Sequence, residues 1–297
     1  DTKTVTMNAA PTNISLSSTS VPENVAANTT VGTLSTTDSD VGDTFTYTLV
    51  SGTGDTDNAS FVIDGTSLKL ILSPDYETKS SYSLRIETKD AAGAAFSKAF
   101  TVTITDLNEA PSVTSGASAN FAENATGTAY TATATDPDAG TTLTWSITGG
   151  ADSAKFTVNA STGALAFVSS PDFESPADAD GNNTYVVTLR VSDGTNICDK
   201  TVTVTVTDVN EAPSVTSSAT ASFAENDTGT AYAAQASDPD AGDTLTWSIG
   251  GTDADIFNMN PSTGDVTFKT APDFESPADA NTDNVYSITV TVSDDDG

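Results

Sequence analysis

The sequence repeats itself with a period of about 100 residues, and this repetition limits the possible folds more than any other feature. Shortened forms of three repeated segments first occur at 22–24, 38–40 and 74–77. Four fuller segments then occur twice each: Asn-Glu-Ala-Pro at 108–111 and 210–213, Phe-Ala-Glu-Asn at 121–124 and 223–226, Asp-Pro-Asp-Ala-Gly at 136–140 and 238–242, and Pro-Asp-Phe-Glu-Ser-Pro at 171–176 and 272–277. Segments that recur at one period mark units repeated in tandem. We therefore predict three repeats, at 11–108, 109–210 and 211–297, and interpret residues 1–10 as the end of a preceding repeat with its linker, or as a donor strand.

Each repeat has the residue pattern of β-strands. Apolar residues alternate with Thr or Ser in the runs Ala99–Asp106, Tyr185–Asp193 and Lys200–Asp208, and a period of two is typical of half-buried strands. Hairpin turns are predicted at 161–163 and 262–264, which both read Ser-Thr-Gly. Alternating large side chains in three further runs are predicted to form the core: Phe45, Tyr47 and Leu49; Leu143, Trp145 and Ile147; and Leu245, Trp247 and Ile249. Seven or so short strands per repeat, without helical periodicity, predict an all-β fold of immunoglobulin-like sandwiches.

The charge of the chain excludes two classes of partner. Ten Lys and Arg residues stand against 41 Asp and Glu residues, which gives a net charge of −31. Such a surface repels nucleic acid and anionic lipid, and no apolar run is long enough to insert into a membrane. The acids either form a self-repelling surface or are neutralised by divalent cations, and only their placement distinguishes these two alternatives.

The residues that commonly carry redox and acid–base chemistry are scarce. The chain has one cysteine, Cys198, and no histidine, so it cannot form an intramolecular disulfide or an ordinary zinc site. Cys198 stands at the start of a strand-like run, and we interpret it as a small packed side chain. The commonest general base of enzymes is absent as well.

The acids recur beside the strand ends that border each Asn-Glu-Ala-Pro segment. That segment is short and contains proline, so we interpret it as a stiff connector between sandwiches. Neighbouring carboxylates at such a connector repel each other by about 1–4 kcal/mol per pair, and three Ca²⁺ ions would balance the charge. Oxygen ligands without His or Cys favour Ca²⁺ over transition metals, and Mg²⁺ demands tighter geometry. The seven acids around the first connector are Glu23, Asp75, Glu77, Glu109, Asp136, Asp138 and Asp193.

In combination, these motifs resemble the cadherin repeat, and in particular the versions found in large bacterial surface and secreted proteins. The resemblance covers essentially the whole chain, and it implies interdomain Ca²⁺ bound by the family motifs x-Glu-x, Asp-Arg-Glu, Asp-x-Asn-Asp-Asn, Asp-x-Asp and a late x-Asp-x. Here an aromatic residue replaces the Arg, Glu replaces the second Asp of the linker motif, and Ala replaces its last Asn, which acts mainly through its carbonyl oxygen. The matching residues are Glu23 and Glu123; Asp75 with Glu77, and Asp172 with Glu174; Asn108, Glu109 and Ala110; Asn210, Glu211 and Ala212; Asp136 with Asp138, and Asp238 with Asp240; and Asp193 and Asp294.

Two further places in the sequence have oxygen ligands. The amino-terminal Asn8-Ala9-Ala10-Pro11 is similar to a linker that has lost its Glu. We expect Asn8, the Ala10 carbonyl, Asp38, Asp40 and Asp90 to hold a single ion there. The segments 178–183 and 279–284 resemble the start of an EF-hand loop, and each is either a solvated turn or an additional weak Ca²⁺ site.

The resemblance implies an extracellular or cell-surface array of seven-stranded sandwiches, joined as a linear rod and stiffened by interdomain Ca²⁺. We expect a structural and adhesive segment without enzymatic activity, whose partners are neighbouring repeats or copies of the chain, with cell-surface or matrix glycans as further candidates. One alternative is a fibre subunit, in which residues 1–7 of one copy complete a third repeat that stops soon after Asp294. The other alternative, a carbohydrate-binding module, would need exposed aromatic side chains.

Overall fold

The computed structural model describes residues 7–295, and strands make up most of its regular structure. The first repeat contains β1 (Asn13–Leu16), β2 (Ser20–Pro22), β3 (Thr30–Thr37), β4 (Phe45–Leu49), β5 (Phe61–Asp64), β6 (Ser67–Leu70), β7 (Ser81–Asp90) and β8 (Ala95–Thr105). The second contains β9 (Ser112–Val113), β10 (Ser118–Ala122), β11 (Thr128–Thr131), β12 (Ala134–Thr135), β13 (Thr144–Gly149), β14 (Phe156–Val158), β15 (Ala164–Phe167), β16 (Thr184–Ser192) and β17 (Ile197–Thr207). The third contains β18 (Ser214–Val215), β19 (Thr230–Ala233), β20 (Ala236–Ser237), β21 (Thr246–Gly250), β22 (Phe257–Met259), β23 (Asp265–Phe268) and β24 (Thr289–Ser293).

The helical content of the described residues is limited to three single 3₁₀ turns, at Asn58–Ser60, Ser153–Lys155 and Ala254–Ile256. Each turn directly follows an aspartate, namely Asp57, Asp152 or Asp253. The predicted all-β fold class is confirmed.

The first repeat is a sandwich of two four-stranded sheets, in the orders β1-β3-β6-β5 and β2-β8-β7-β4. It has eight strands instead of the expected seven, because its first strand divides between the sheets. β1 pairs antiparallel with β3, whereas β2 pairs parallel with β8 in the other sheet. The chain crosses over close to Gly32, where an added Cβ would lie 2.9 Å from the backbone of Ser18, so only glycine permits this approach.

The three alternating runs predicted the core in part: two of their nine large side chains are buried, and the other seven are half-buried. In the first repeat, Ile14, Leu68, Leu84, Ile86 and Val102 have no exposed surface. Trp145 and Trp247 are 5% and 6% exposed, which confirms that these side chains belong to the core. The predicted hairpin turn at 161–163 is also confirmed: it joins β14 to β15, and Gly163 at its end adopts a φ of 70°.

The described residues divide into two compact units. One holds the residues up to 115 together with 132–146 and 190–200, and the other holds 116–131, 147–189 and the residues from 201 onward. Strands β13, β16 and β17 pass from one unit into the other. Every residue of the acid cluster at the first linker lies in the first unit, and every residue of the cluster at the second linker lies in the second unit.

The third repeat differs from the first two at one sheet edge. In the second repeat, β17 lies between β10 and β16 and buries Val202, Val204 and Val206. In the third, β24 pairs with β21 alone within the described part of the chain. An open groove of about 890 Å³ lies in this repeat, and its apolar lining residues include Phe223, Phe257, Phe268, Tyr286, Ile288 and Val290. The proposed donor segment, residues 1–7, falls almost entirely outside the residues that the structure describes.

Candidate metal centres

A fully buried glutamate anchors each linker. Glu23 is 1% exposed, and its two carboxylate oxygens accept hydrogen bonds from the backbone N–H groups of Leu107 and Tyr76, both at 2.8 Å. These donors lie at the end of β8 and in the loop that carries Asp75 and Glu77. The carboxylate therefore fixes the start of the linker against that loop.

Glu123 repeats this arrangement at the second linker. It is 2% exposed and accepts hydrogen bonds from the backbone N–H groups of Val209, at 2.8 Å, and Phe173, at 2.7 Å. The corresponding Glu225 of the third repeat is exposed, and Phe274 N–H donates to it at 3.0 Å. One sequence motif thus produces two different environments.

The predicted acids form overlapping triads beside each linker. Carboxylate oxygens of Glu23, Asp75 and Glu77 lie within 4.8 Å of one another, and so do those of Glu77, Glu109 and Asp138. Glu77 thus belongs to both triads at the first linker.

The second linker has a similar pair of triads, in which Asp208 takes the place that Glu109 has at the first linker. One consists of Glu123, Asp172 and Glu174, and the other of Glu174, Asp208 and Asp240. Glu174 is the shared ligand here, at the position equivalent to Glu77. The described residues that belong to these triads come from both sides of the linker.

Hydrogen bonds position the remaining predicted residues near the triads. Asn108 Nδ2 donates to Asp193 Oδ2 at 2.7 Å, and Glu109 N donates to Asp138 Oδ2 at 2.9 Å. Asp138 N in turn donates to Asp136 Oδ1 at 3.0 Å. A role for the Ala110 carbonyl oxygen stays a prediction.

The second linker has matching bonds at similar lengths. Asn210 Nδ2 donates to Asp294 Oδ2 at 3.3 Å, and Glu211 N donates to Asp240 Oδ2 at 2.7 Å. Asp240 N donates to Asp238 Oδ1 at 3.1 Å. A role for the Ala212 carbonyl oxygen likewise stays a prediction.

Several carboxylate oxygens at the linkers are buried without a hydrogen-bond partner. A buried polar atom that lacks a partner costs about 1–3 kcal/mol, and a bound cation removes this cost. The donor set is carboxylate and amide oxygen only, which is the set that Ca²⁺ prefers. These buried oxygens are Glu109 Oε2, Asp136 Oδ2, Glu211 Oε2, Asp238 Oδ2 and Asp240 Oδ1.

The crowding of acids also changes their ionisation. Burial raises the pKa of Glu109, a hydrogen bond from Asn24 opposes this rise, and the charges of Glu23 and Asp138 add to it. At the second linker, burial and the charges of Glu123 and Asp208 raise the pKa of Glu174 to about 7. Carboxylates held this close favour protonation when no metal ion is bound.

The structure adds candidate ligands that the sequence reasoning missed. Burial and the charge of Asp138 raise the pKa of Asp106, and Asp208 occupies the equivalent position in a triad. Both precede the linker Asn by two residues, so the spacing Asp-x-Asn would have found them. Asn24 and Asn124 were also missed; their amides donate to Glu109 and Glu211.

Hydrogen bonds and one triad connect Asn8, Asp38, Asp40 and Asp90, whereas a role for the Ala10 carbonyl oxygen stays a prediction. Asn8 Nδ2 donates to Asp90 Oδ2 at 3.0 Å, and Ala9 N donates to Asp40 Oδ2 at 2.6 Å. Asp38 and Asp90 form a triad with Asp43, which the sequence reasoning did not select. Asp43 follows the Asp-x-Asp motif by three residues, and its Oδ2 is buried without a hydrogen-bond partner.

The fold and these clusters define a class of protein: all-β repeats with groups of acids beside the linkers. Residues 17–105 match the family model described as "Cadherin domain". Mouse cadherin-23 EC22-24 has a similar fold, with a TM-score of 0.60 and 22% identity, over 93% of this chain and 90% of that one.

Two curated proteins are similar in sequence. Human protocadherin Fat 4 is 32% identical over 217 residues, which are 69% of this chain and 4% of that protein. Halomucin of Haloquadratum walsbyi is 39% identical over 93 residues, which are 30% of this chain and 1% of that protein. The chain thus spans a very small part of either relative.

Residues 17–105 thus match a cadherin domain, and the findings together support cadherin-like repeats. Repeats of this family belong to extracellular adhesion proteins, and the chain is extracellular or located at the cell surface. Cadherin domains in general bind Ca²⁺. Within residues 7–295, no helix is both long enough and apolar enough to cross a membrane.

Proposed function

We propose that the chain is a calcium-stiffened adhesive segment, in which Ca²⁺ ions at two linkers hold three repeats, 11–108, 109–210 and 211–297, in a fixed arrangement. The observation that carries this proposal is the shared glutamate of each pair of triads. Glu77 joins acids of the first repeat to Glu109 of the linker and Asp138 of the next repeat. An ion bound there would tie all three segments together.

The physical mechanism follows from the charges. Without metal, repulsion among the carboxylates opposes their close approach, and a short linker leaves neighbouring repeats free to move. With Ca²⁺, the same carboxylates become shared ligands, and separating the repeats would break metal–oxygen bonds. Neighbouring repeats are therefore the first partners of each repeat, and adhesion to other surfaces is a proposal for the whole parent protein.

The chain's own residues support a structural role for the metal. Each linker holds its acids in place through backbone donors to Glu23 or Glu123, and this suits a fixed coordination site. The carbohydrate-binding alternative is not supported, because both tryptophans lie in the core. We propose no enzymatic activity, since the acids recur at linkers and the chain has no histidine.

Chelation tests the proposal when solution scattering and thermal unfolding are measured together. Adding EDTA should lower the melting temperature and broaden the distribution of distances between repeats, and adding Ca²⁺ back should restore both. The variant Glu77→Gln should weaken this response at the first linker. Glu87→Gln is the matched control, because Glu87 lies on β7 and pairs with Lys89 at 3.0 Å, away from the triads. Equal responses of the two variants, or no response to EDTA, would refute the proposal.

A further inference from the structure

One aspartate occupies the same position in all three repeats; Asp152 and Asp253 are buried, and Asp57 is partly buried. Each of these residues precedes a 3₁₀ turn, and each carboxylate accepts a hydrogen bond from a backbone N–H group later in the same repeat. Those donors are the N–H groups of Ser83, Val186 and Ser287, at 2.6–2.8 Å. The hydrogen-bond partner of the second carboxylate oxygen differs between the first repeat and the other two, and this difference indicates a ligand.

In the first repeat a lysine provides the second partner. Lys79 forms an ion pair with Asp57 and lies 4.8 Å from the centre of the Tyr82 ring. The carboxylate is therefore neutralised by a cation that belongs to the chain itself. A buried carboxylate without such compensation is strongly unfavourable.

In the second repeat, a backbone N–H group donates to the carboxylate oxygen that the lysine binds in the first repeat. The second oxygen of Asp152 accepts the Ala179 N–H at 2.7 Å, at the base of the loop 178–183, which adds Asp178 and Asp180. Asp152 is 4% exposed. No ion pair of the described residues involves any of these three aspartates, so three negative charges lack the compensation that Lys79 provides in the first repeat.

An unpartnered amide oxygen lies in the same loop. Asn183 is 9% exposed, its Nδ2 donates to Phe173 O at 2.8 Å, and its Oδ1 is buried without a hydrogen-bond partner. Asp178 Oδ1 is also buried without a partner, while its Oδ2 accepts the Asn182 N–H at 2.9 Å. A buried amide oxygen and a buried carboxylate oxygen that lack donors are the groups that a hard cation binds.

The corresponding loop of the third repeat has the same number of acids as the loop of the second repeat, but one Asp and one Asn have exchanged positions. Asp180 and Asn182 of the second repeat correspond to Asn281 and Asp283 of the third. The amide donates to the acid in both, from Asn182 to Asp180 and from Asn281 to Asp283, at 2.8 Å each time. The number of carboxylates beside the buried aspartate is thus the same in both repeats.

We propose that the loop 178–183, together with Asp152, binds one Ca²⁺ ion. This site lies within the second repeat and is separate from the linker clusters. The ion replaces the ammonium group of Lys79, and its ligands are Asp178, Asp180 and the Asn183 side-chain oxygen. Oxygen ligands of this kind favour Ca²⁺ over transition metals.

The loop ion would act on the adjacent linker through Asn183. The Asn183 side-chain amide donates a hydrogen bond to the Phe173 carbonyl oxygen, and the Phe173 N–H donates one to the Glu123 carboxylate. Phe173 stands between Asp172 and Glu174, two ligands of the second linker. An ion in the loop therefore fixes the segment that presents both of these acids.

Counting bound Ca²⁺ by native mass spectrometry tests the proposal. The double variant D178N/D180N should bind one ion fewer than the unchanged chain. The exchange variant D180N/N182D, which copies the third repeat, should bind the full number. D199N is a surface control, since Asp199 pairs with Arg190 at 2.7 Å on β16 and β17, and it should also bind the full number.

A second readout guards against misfolding of the double variant. Tb³⁺ emission sensitised by tyrosine should fall in D178N/D180N, because the Tyr185 hydroxyl accepts the Ala177 N–H at 3.0 Å beside this loop. It should persist in the exchange variant, and circular dichroism checks the β-structure of each variant. Equal ion counts and equal emission in the double variant and the unchanged chain would overturn the proposal. Because Glu77→Gln affects only the first linker, failure of the loop site is distinguishable from failure of the linker sites.

Discussion

The variant Glu123→Gln tests whether a buried carboxylate holds the second linker together. The carboxylate accepts two backbone hydrogen bonds, from Val209 at 2.8 Å and from Phe173 at 2.7 Å, and it is 2% exposed. Glutamine keeps one acceptor but turns an amide N–H towards the other backbone N–H. One charge-assisted hydrogen bond is lost, and buried donors are left without acceptors.

The size of the effect follows from these contacts. A hydrogen bond to a charged group contributes about 1.5–3 kcal/mol, and an unsatisfied buried donor costs about 1–3 kcal/mol. The free energy of unfolding of the second repeat should therefore fall by about 3 kcal/mol or more. Part of this loss should persist in EDTA, because the donors belong to the backbone and not to a metal ion.

The third repeat provides a matched control in the same sequence motif. Glu225→Gln changes an exposed side chain, so stability should change by no more than about 0.5 kcal/mol. Urea unfolding followed by tryptophan fluorescence separates the repeats, since Trp145 lies in the second and Trp247 in the third. If both variants destabilise equally, or if Glu123→Gln costs less than about 1 kcal/mol, the reasoning is wrong.

Three further predictions concern pH, a lysine and the open groove. In EDTA, the free energy of unfolding should fall as pH rises from about 4.5 to about 7. The reason is that the pKa of Glu174 is raised to about 7, so the folded chain keeps a proton that the unfolded chain has lost. Melting temperatures measured with saturating Ca²⁺ should not show this dependence on pH. Lys79→Met should destabilise the first repeat by about 1 kcal/mol, because the carboxylate of Asp57 loses its ion pair, and denaturant unfolding measures this loss; an unchanged stability would contradict it. A labelled peptide with the sequence of residues 199–208 should bind the third-repeat groove, as measured by fluorescence anisotropy, whereas the same peptide with its valines changed to threonine should not bind.

Much of the fold could be predicted because it depends on local periodicity. Alternating residues place every second side chain on one face of a strand, so the run around Trp145 indicated the core without knowledge of its neighbours. The acids of the linkers were predictable for a similar reason, since they recur at one period. The missed candidates Asp106 and Asp208 also recur at this period, since each stands two residues before the linker Asn.

The number of strands could not be read from the pattern. The first strand of the first repeat divides between two sheets near Ser18, because Gly32 of the opposite strand lets the backbones approach closely. Sheet membership depends on which strand lies alongside, and alternation along one strand does not encode it. The Asp43 ligand was missed for the same reason, since Asp90 reaches it from a strand distant in sequence.

The two copies of Phe-Ala-Glu-Asn separate what the sequence determines from what depends on the tertiary structure. Residues 121–124 and 223–226 are identical, yet Glu123 is buried and Glu225 is exposed. The sequence by itself determined that an acid stands at this point of each repeat. The burial of Glu123 depends on β17, whose end brings the Val209 N–H to this carboxylate. A carboxylate leaves water only where backbone donors from distant segments replace its hydration, and only the tertiary structure places those donors.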